Sequence, residues 1–433
     1  MVQDLYAELV KVLAAMSGGV DSALAAALAV EAGHEVTGVH MALMRNRALY
    51  REGSRGCCSI EDALDARRVA DKLGIPFYTW DLSEQFAELV VADFLNEYAQ
   101  GRTPNPCIRC NEHVKFNVLA NKAKALGFDA IATGHYARLL SPAPSFCAQS
   151  QNPGTFAGLT AQNMNVELHR ARNFPKDQSY VLAVAGQERL KHCYFPLGDF
   201  QTKQEVREEA KKRNLPVSAK PDSYDICFIP DGDTRGFLKQ HLGEQKGAIV
   251  DIDGKQLGEH DGAYGFTIGQ RKGLDLKNPA KDGAPRYVLK TDPATNTVVV
   301  GGKQHLVVTS ITATDPVWYL PPPSLDKVAP SVEEAPSEPS RNHGPKIQPD
   351  AHNTPCRDVK IQVRAHGREV PARLTVLENG AVRFDLIDDA LAGIAAGQSV
   401  VAYDGTRVVA QATVSQAGTP ASAGYSAGER DSY

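Results

Sequence analysis

The apolar run "KVLAAM" (11–16), followed at once by "SGGVDS" and an alanine-rich stretch, is the feature that most constrains the fold. It reads as a buried strand, a tight turn at Gly18 and Gly19, and a helix reaching Ala32 and closed by Gly33. The unit then recurs. "EVTGVHM" (35–41) is a second strand, and residues 60–73 place Ala63, Ala66, Ala70 and Leu73 on one helix face. "PFYTWDL" (76–82) is a third strand, and Ser83 caps a helix carrying Phe86, Leu89, Val90 and Phe94 on one side. A helix over 112–126 and the strand "DAIATGH" (129–135) follow. This alternation argues for an α/β fold, a parallel sheet covered by helices.

Beyond it the pattern changes. Residues 141–165 are small and polar, and read as an insertion. Thr202 and Glu205 fit a capping box for a helix that buries Val206 and Ala210. From about 245 the chain is β-rich, with "DIDG" and "DPATN" as turns. The Pro, Ser and Glu of 320–355 cannot bury much apolar surface, so an extended or disordered loop is expected there. Strands resume at "VKIQVRAHG", and the Gly-, Ala- and Ser-rich tail from 416 is expected to be disordered. The expected division is 8–196 for the parallel-sheet domain, 197–300 for a smaller central domain, 301–415 for a C-terminal β-barrel and 416–433 for the tail.

At 433 residues, 42% hydrophobic and 23% charged, the composition is that of a globular protein. There is no apolar run of about 18 residues, so no membrane span is expected. "ALAAALAV" is not a signal-peptide core, because Asp4, Glu8 and Asp21 surround it and a basic leader is missing. The cytoplasm is the default location. Eight cysteines are too few for a disulfide scaffold. A formal net charge of −4 neither announces nor excludes a nucleic-acid partner.

The loop Ala15, Met16, Ser17, Gly18, Gly19, Val20, Asp21, Ser22 suits an anion. Its glycines permit close approach, the helix start offers free N–H groups, and Ser17 and Ser22 add hydroxyl donors. Asp21 can hold magnesium or position a donor. The loop is not GxxxxGK[ST], so it is not a Walker A loop. Met41 and "TGHY" (133–136) end the second and fourth expected strands, where ligands of open α/β sheets collect. Both are thus placed to meet a ligand, and Gly134 permits close approach. Taken singly, Met41 reads as core and His135 as a loop histidine.

"GRTPNPCIRCNEHVKF" (101–116) carries Cys107 and Cys110 in a Pro-rich loop just ahead of a helix. The spacing fits a metal site, a redox pair, one catalytic thiol or no role. Arg109 and the helix start favour thiolate, while Pro104 and Pro106 stiffen the loop. Cys227, in "KPDSYDICFIPDG" (220–232), reads locally as a buried small hydrophobe. Cys57 and Cys58 are adjacent, a poor chelating geometry, and read as structural. Cys147, Cys193 and Cys356 receive no role, and a zinc site lacks a fourth ligand.

"AMSGGVDS" resembles the loop of the PP-loop ATP pyrophosphatases. Together with "GRTPNPCIRCNEHVKF", "ATGHYARL", "FPKDQSYVLA", "SYDICFIPDG", "GEHDGAYGFTIGQRKGL", "VRAHG" and "AGQSVVAYDG", it resembles the bacterial tRNA-specific 2-thiouridylases in order from about residue 10 to 415. The resemblance implies a PP-loop domain, a central domain and a C-terminal barrel. It implies ATP and Mg2+ as cofactors, a tRNA with a wobble uridine as partner, and a persulfide donor, either a cysteine desulfurase or a relay protein.

It further implies Cys227 as persulfide carrier and Cys110 as the thiol that releases the sulfur, leaving a Cys110–Cys227 disulfide. Asn105, Pro106 and Cys107 match the target-base loop. His135, Lys176, Asp177, Gln178, Arg364, Ala365 and Gln398 match tRNA-contacting positions, and Arg271 and Lys272 add charge nearby.

Cys107 stands where some members carry Asp. Cys107, Cys110 and Cys227 are therefore also candidate iron–sulfur ligands. Tyr224 replaces the usual Gln or Glu, and Ala365 a common aromatic. Two rival readings are a PP-loop synthetase acting on a small molecule and a non-catalytic cysteine-cluster RNA-binding protein.

Overall fold

The computed structural model describes residues 9–44, 60–141, 166–222, 226–229, 231–276, 283–323 and 356–418. The insertion at 142–165, most of the one at 320–355, the tail from 419, Cys57, Cys58, Cys147 and Tyr224 lie outside the described residues.

Strands β1 (Lys11–Ala15), β2 (Glu35–Ala42), β3 (Phe77–Asp81), β4 (Ala130–Ala132) and, later, β7 (Cys193–Tyr194) form one sheet in the order β3-β2-β1-β4-β7. Every pairing in it is parallel. The order reverses between β1 and β4, which makes the crevice at their carboxyl ends the switch point where such sheets take ligands. Helix α1 (Val20–Glu31) buries almost its whole alanine face against the sheet, and α2 (Ile60–Leu73) buries Ala66, Val69 and Ala70.

Next comes a continuous helical run, α3 (Ser83–Phe86), a wider π-type stretch Ala87–Val91 and α4 (Ala92–Ala99). Ser83 was expected as its cap. It is instead the first helical residue, and its N–H donates to the Asp81 carboxylate at 2.9 Å.

A second difference lies at the paired cysteines. The helix begins at Pro106, not after Cys110: α5 (Pro106–Arg109) runs through a π-type stretch Cys110–Leu119 into α6 (Ala120–Ala125). Asn105 accepts the Cys107 N–H at 3.0 Å as the cap, and proline occupies the first position, where no N–H is needed. The prolines thus start a helix rather than stiffen a loop.

The hairpin β5 (Ala137–Leu140) and β6 (Glu167–Arg170) leaves the first sheet and pairs with the C-terminal barrel. The short helices α7 (Ser179–Leu182) and α8 (Gln187–Leu190) follow. Helix α9 (Lys203–Lys212) is capped by Thr202, whose hydroxyl accepts the Glu205 N–H at 3.1 Å. It adds Ala210 to the core that α1 shares with the sheet.

The central unit joins α10 (Thr234–Leu242) to the four-stranded sheet of β8 (Gly247–Val250), β9 (Gln256–His260), β10 (Tyr287–Asp292) and β11 (Thr297–Gly301). Strands β12 (Val307–Val308) and β17 (Leu391–Ala392) form a small pair. The C-terminal unit is a closed barrel of six strands: β13 (Ser310–Trp318), β14 (Cys356–Gln362), β15 (Val370–Val376), β16 (Val382–Leu386), β18 (Ser399–Asp404) and β19 (Arg407–Gly418). The β13–β19 pairing closes it and removes the open edges.

A buried charge network fastens the barrel to the first domain. Arg170 donates to Asp177 at 2.8 Å and to Gln362 at 2.7 Å, and its guanidinium lies 3.5 Å from the Tyr403 ring centroid. No described helix is long and apolar enough to cross a membrane.

Candidate active site

The turn after β1 is held from three sides. The Ser22 hydroxyl accepts the Ser17 N–H and donates to the Gly19 carbonyl, both at 3.1 Å. The buried His40 ring bonds the Met16 carbonyl at 2.9 Å, fixing the strand exit. Gly18 has φ +81°, and a Cβ there would sit 2.2 Å from the Asp62 carbonyl of α2. The turn therefore leads directly into the start of α1, whose first N–H groups and dipole suit a phosphate.

The end of β4 closes over this point. A Cβ at Gly134 would lie 2.6 Å from the Asp21 carbonyl carbon and the Ser22 nitrogen. The Tyr136 hydroxyl donates to Asp21 at 2.7 Å, and burial together with that carboxylate raises its pKa, so it stays protonated. His135 bonds Thr133 at 2.7 Å and packs between Phe116 and Phe195. Burial, then Lys115, hold its pKa well below the usual range, so it is neutral at pH 7. Asp21 is also bound through both oxygens by Lys203, at 2.6 and 2.7 Å.

The thiols belong to a different cluster. Cys110 is 7% exposed, within an apolar cluster that includes Phe86, Phe94, Phe228 and Tyr264. Cys227 packs against the same cluster, as does Met41 at the end of β2. Phe228 is the anchor: its ring lies 5.2 Å from Phe94, 5.5 Å from Phe237 and 5.8 Å from Phe86. The fold thus brings together two cysteines that are remote in sequence. Met41 also packs on the cluster of Leu13 and Ala15, and so links the thiol cluster to β1, the strand that ends in the turn at Gly18.

Cys107 is apart. It is exposed at the helix start while Cys110 lies inside. Among the described residues no three His, Cys, Asp or Glu side chains converge as metal ligands. The described residues thus show no iron–sulfur site at these cysteines. The charge expected from Arg109 is offset, since it donates to Asp93 at 3.2 Å and Glu112 at 3.0 Å. Cys193 is buried in the core of β7, where burial pushes its thiol pKa up and makes it inert.

The expected RNA-facing residues divide. Asn105 and Arg109 line a cleft with Gly397 and Ser399 of the barrel, so Gln398 flanks the segment that carries Asn105. The Thr103 N–H donates to the Ala396 carbonyl at 2.9 Å and closes that junction. Arg364 is exposed and bonds the Gly393 carbonyl at 2.7 Å; Ala365 packs on the first domain's core.

Asp177 faces inward, accepting bonds from Arg170, the Ala171 N–H and the Ser179 hydroxyl at 2.8, 2.9 and 2.7 Å. Its carboxylate is committed to these internal donors. The Gln178 side-chain oxygen accepts the Tyr136 N–H at 2.9 Å, tying this segment to the β4 end. Lys176 bonds Asp222 at 2.9 Å. Sequence reading missed Tyr136, Lys203, Asp222 and His40 as parts of the site. Their partners lie far along the chain, so no local spacing marks them.

Comparison with known proteins agrees with this layout. The family model described as tRNA methyl transferase HUP domain matches residues 10–231. The tRNA methyl transferase PRC-barrel domain matches 235–302, and the aminomethyltransferase beta-barrel domain matches 344–414. The tRNA-specific 2-thiouridylase MnmA of Beutenbergia cavernae is 55% identical over 414 residues, 95% of this chain and 96% of that protein. The tRNA-specific 2-thiouridylase MnmA of Kineococcus radiotolerans is 52% identical over 407 residues, 94% and 98% of the two chains. A 4-thiouridine synthetase solved with RNA and ATP is 16% identical and covers 54% of this chain and 50% of its own, at a TM-score of 0.32. The end-to-end similarity, spanning all three folded units, shows that this chain belongs to the tRNA-specific 2-thiouridylase family.

Proposed function

We propose that the chain is an ATP-dependent tRNA 2-thiouridylase, which replaces the carbon-2 oxygen of a wobble uridine with sulfur. The observation that carries this reading is the shared cluster of Cys110 and Cys227, with Met41, which also packs against Leu13 and Ala15 of β1. A uracil carbonyl oxygen is a poor leaving group. Its attack on the α-phosphorus of ATP releases pyrophosphate and leaves an O-adenylated uridine. The terminal sulfur of a Cys227 persulfide then adds at carbon-2, and AMP departs.

The transferred sulfur is still bonded to Cys227. Attack by the Cys110 thiolate on the Cys227 sulfur breaks that bond, leaving 2-thiouridine and a Cys110–Cys227 disulfide, which an external thiol must reduce before the next turnover. The wobble base must leave its stack to reach these thiols. The cleft between Asn105 and the barrel loop at Gln398 supports entry from that side. Lys176, Arg364, Arg271 and Lys272 supply charge for the phosphates. Asp177 and Gln178 act by holding the segment that carries Lys176 rather than by touching RNA.

ATP enters at the turn 15–22, with Gly134 allowing its approach. Magnesium would travel with the triphosphate. A persulfide from a cysteine desulfurase or a relay protein supplies the sulfur, and the setting is cytoplasmic.

The test is incubation of the full chain with tRNA transcript, ATP and a persulfide donor, with nucleoside mass spectrometry for 2-thiouridine and assays of AMP and pyrophosphate. No 2-thiouridine from a folded, ATP-binding chain would overturn the reading. Pyrophosphate release without tRNA would favour a small-molecule synthetase.

A second prediction arises from the aromatic anchor. Removing the buried ring in Phe228→Ala should cost about 3–5 kcal/mol of packing, concentrated on the segment that carries Cys227. Thiolation is expected to fall more than about tenfold, with ATP affinity within about twofold, because Phe228 lies in the thiol cluster and not at the turn. Equilibrium ATP binding and single-turnover thiolation check both halves.

A further inference from the structure

We propose that Phe174 is a stacking platform for an unpaired base of the RNA substrate, braced from within by the buried Arg170. The inference rests on the reading of the chain as a tRNA 2-thiouridylase. Phe174 is 54% exposed, and no other phenylalanine among the described residues is exposed. A single apolar residue at a surface is common, so exposure alone says little. What sets Phe174 apart is how firmly it is held there.

The backbone around it is closed on itself. The Asp177 carboxylate accepts the Ala171 N–H at 2.9 Å, which pins the two ends of the turn 171–177, with Phe174 midway. Inside the turn the Phe174 N–H donates to the Arg172 carbonyl at 3.1 Å, and the Asp177 N–H donates to the Phe174 carbonyl at 3.2 Å. Pro175 fixes one further torsion. Little ordering is left for a ligand to impose.

The ring is backed as well. The Arg170 guanidinium lies 5.2 Å from the Phe174 ring centroid and 3.5 Å from that of the buried Tyr403. Arg170 is itself immobilised by Asp177, Gln362 and Glu369, at 2.8, 2.7 and 2.8 Å. Ring, cation and ring thus lead from the core to solvent. A nucleobase is the group that continues such a series, because stacking uses its flat π-face and needs no particular hydrogen-bonding edge.

The turn is also fastened where RNA must come. The Gln178 N–H donates to the Tyr136 carbonyl at 2.8 Å, and the Gln178 side-chain oxygen accepts the Tyr136 N–H at 2.9 Å. Tyr136 follows the end of β4, at the crevice read as the reaction site. Extruding the wobble uridine unstacks it from its neighbours. A fixed ring at this edge covers a base face left bare and offsets part of that cost. Arg172 and Lys176 flank the ring, but each is paired with a carboxylate, Asp199 at 2.8 Å and Asp222 at 2.9 Å. The contribution of the ring can therefore be told from that of charge by its response to salt.

The experiment is equilibrium binding of a tRNA transcript with a wobble uridine to the full-length wild-type chain and variants, across a series of salt concentrations, with thermal melting alongside. F174A should weaken tRNA binding by about 5–100-fold, the loss expected for one stacked base, with the slope against salt unchanged. F174L keeps apolar bulk without a π-face and should fall within about threefold of F174A. F174W should bind within about threefold of wild type, or tighter. The fluorescence that F174W adds to that of Trp80 and Trp318 should be quenched when tRNA saturates the chain. This readout stands even if F174A melts below the assay temperature. Wild-type affinity in F174A or F174L, or an unquenched signal in F174W, overturns the proposal. A wild-type chain that binds no tRNA overturns the thiouridylase reading itself, and the stacking role with it.

Discussion

Cys110→Ser and Cys227→Ser are each expected to lower 2-thiouridine formation by at least about a thousandfold, because a hydroxyl neither carries a persulfide nor displaces one. The two variants should fail at different steps. After exposure to a persulfide donor, Cys110→Ser should still hold the extra sulfur on Cys227, visible as a mass increase in the peptide that contains it. Cys227→Ser should hold none in that peptide.

ATP affinity should stay within about threefold in both, since the thiols lie in the aromatic cluster and not on the nucleotide turn. Cys110→Ser also places a hydroxyl in an apolar site at a cost of about 1–3 kcal/mol, so melting curves must accompany the assay. Cys107→Ser is the internal contrast. It is exposed at the helix start and stands outside the cluster, so activity within about tenfold of wild type is expected. Full activity in either Cys110→Ser or Cys227→Ser would remove that residue from the mechanism.

The sheet domain was legible because its periodicities are local. Each of β1 to β4 and both α1 and α2 coincides with an expected segment, since apolar runs, alanine spacing and Gly33 act within a few residues. Misreadings came where two local rules compete. "TPNPC" carries two prolines, which suggest a loop, but Asn105 as cap and Pro106 as first helical residue make it a helix start.

At the preceding helix Asp81 accepts the N–H of Ser83, so Ser83 is the first helical residue and not the cap. Asp177 is expected at an RNA contact, yet it pairs with Arg170, which also reaches Gln362 in the barrel. Such pairings join distant segments and leave no spacing to read. Closure of the barrel through β13 and β19 is long-range in the same sense. Only family resemblance connects the two thiols in sequence, because Cys227 taken alone reads as a buried hydrophobe; in the structure it is half-buried.

Gly18→Ala should abolish ATP binding, with affinity falling more than about a hundredfold, and two separable costs underlie this. The first is conformational. Gly18 has φ +81°, a left-handed backbone that costs a residue with a Cβ about 1–2 kcal/mol. The second is steric and larger: the added Cβ would lie 2.2 Å from the Asp62 carbonyl and 2.7 Å from its Cα, both backbone atoms of α2 that cannot rotate away.

Either the turn or the start of α2 must move, and the turn is what presents the N–H groups to phosphate. Gly74→Ala separates these costs. Gly74 also has positive φ, at +69°, but among the described residues nothing lies within 4 Å of the point an added methyl would occupy. It should lose about 1 kcal/mol of stability and keep wild-type ATP affinity. Gly134→Ala tests the opposite wall, because its Cβ would press at 2.6 Å on the Asp21 carbonyl carbon and the Ser22 nitrogen. If Gly18→Ala binds ATP as tightly as Gly74→Ala does, the turn between β1 and α1 is not the phosphate cradle. If Gly18→Ala and Gly134→Ala both lose ATP while Gly74→Ala keeps it, the nucleotide is held between the end of β4 and the start of α1.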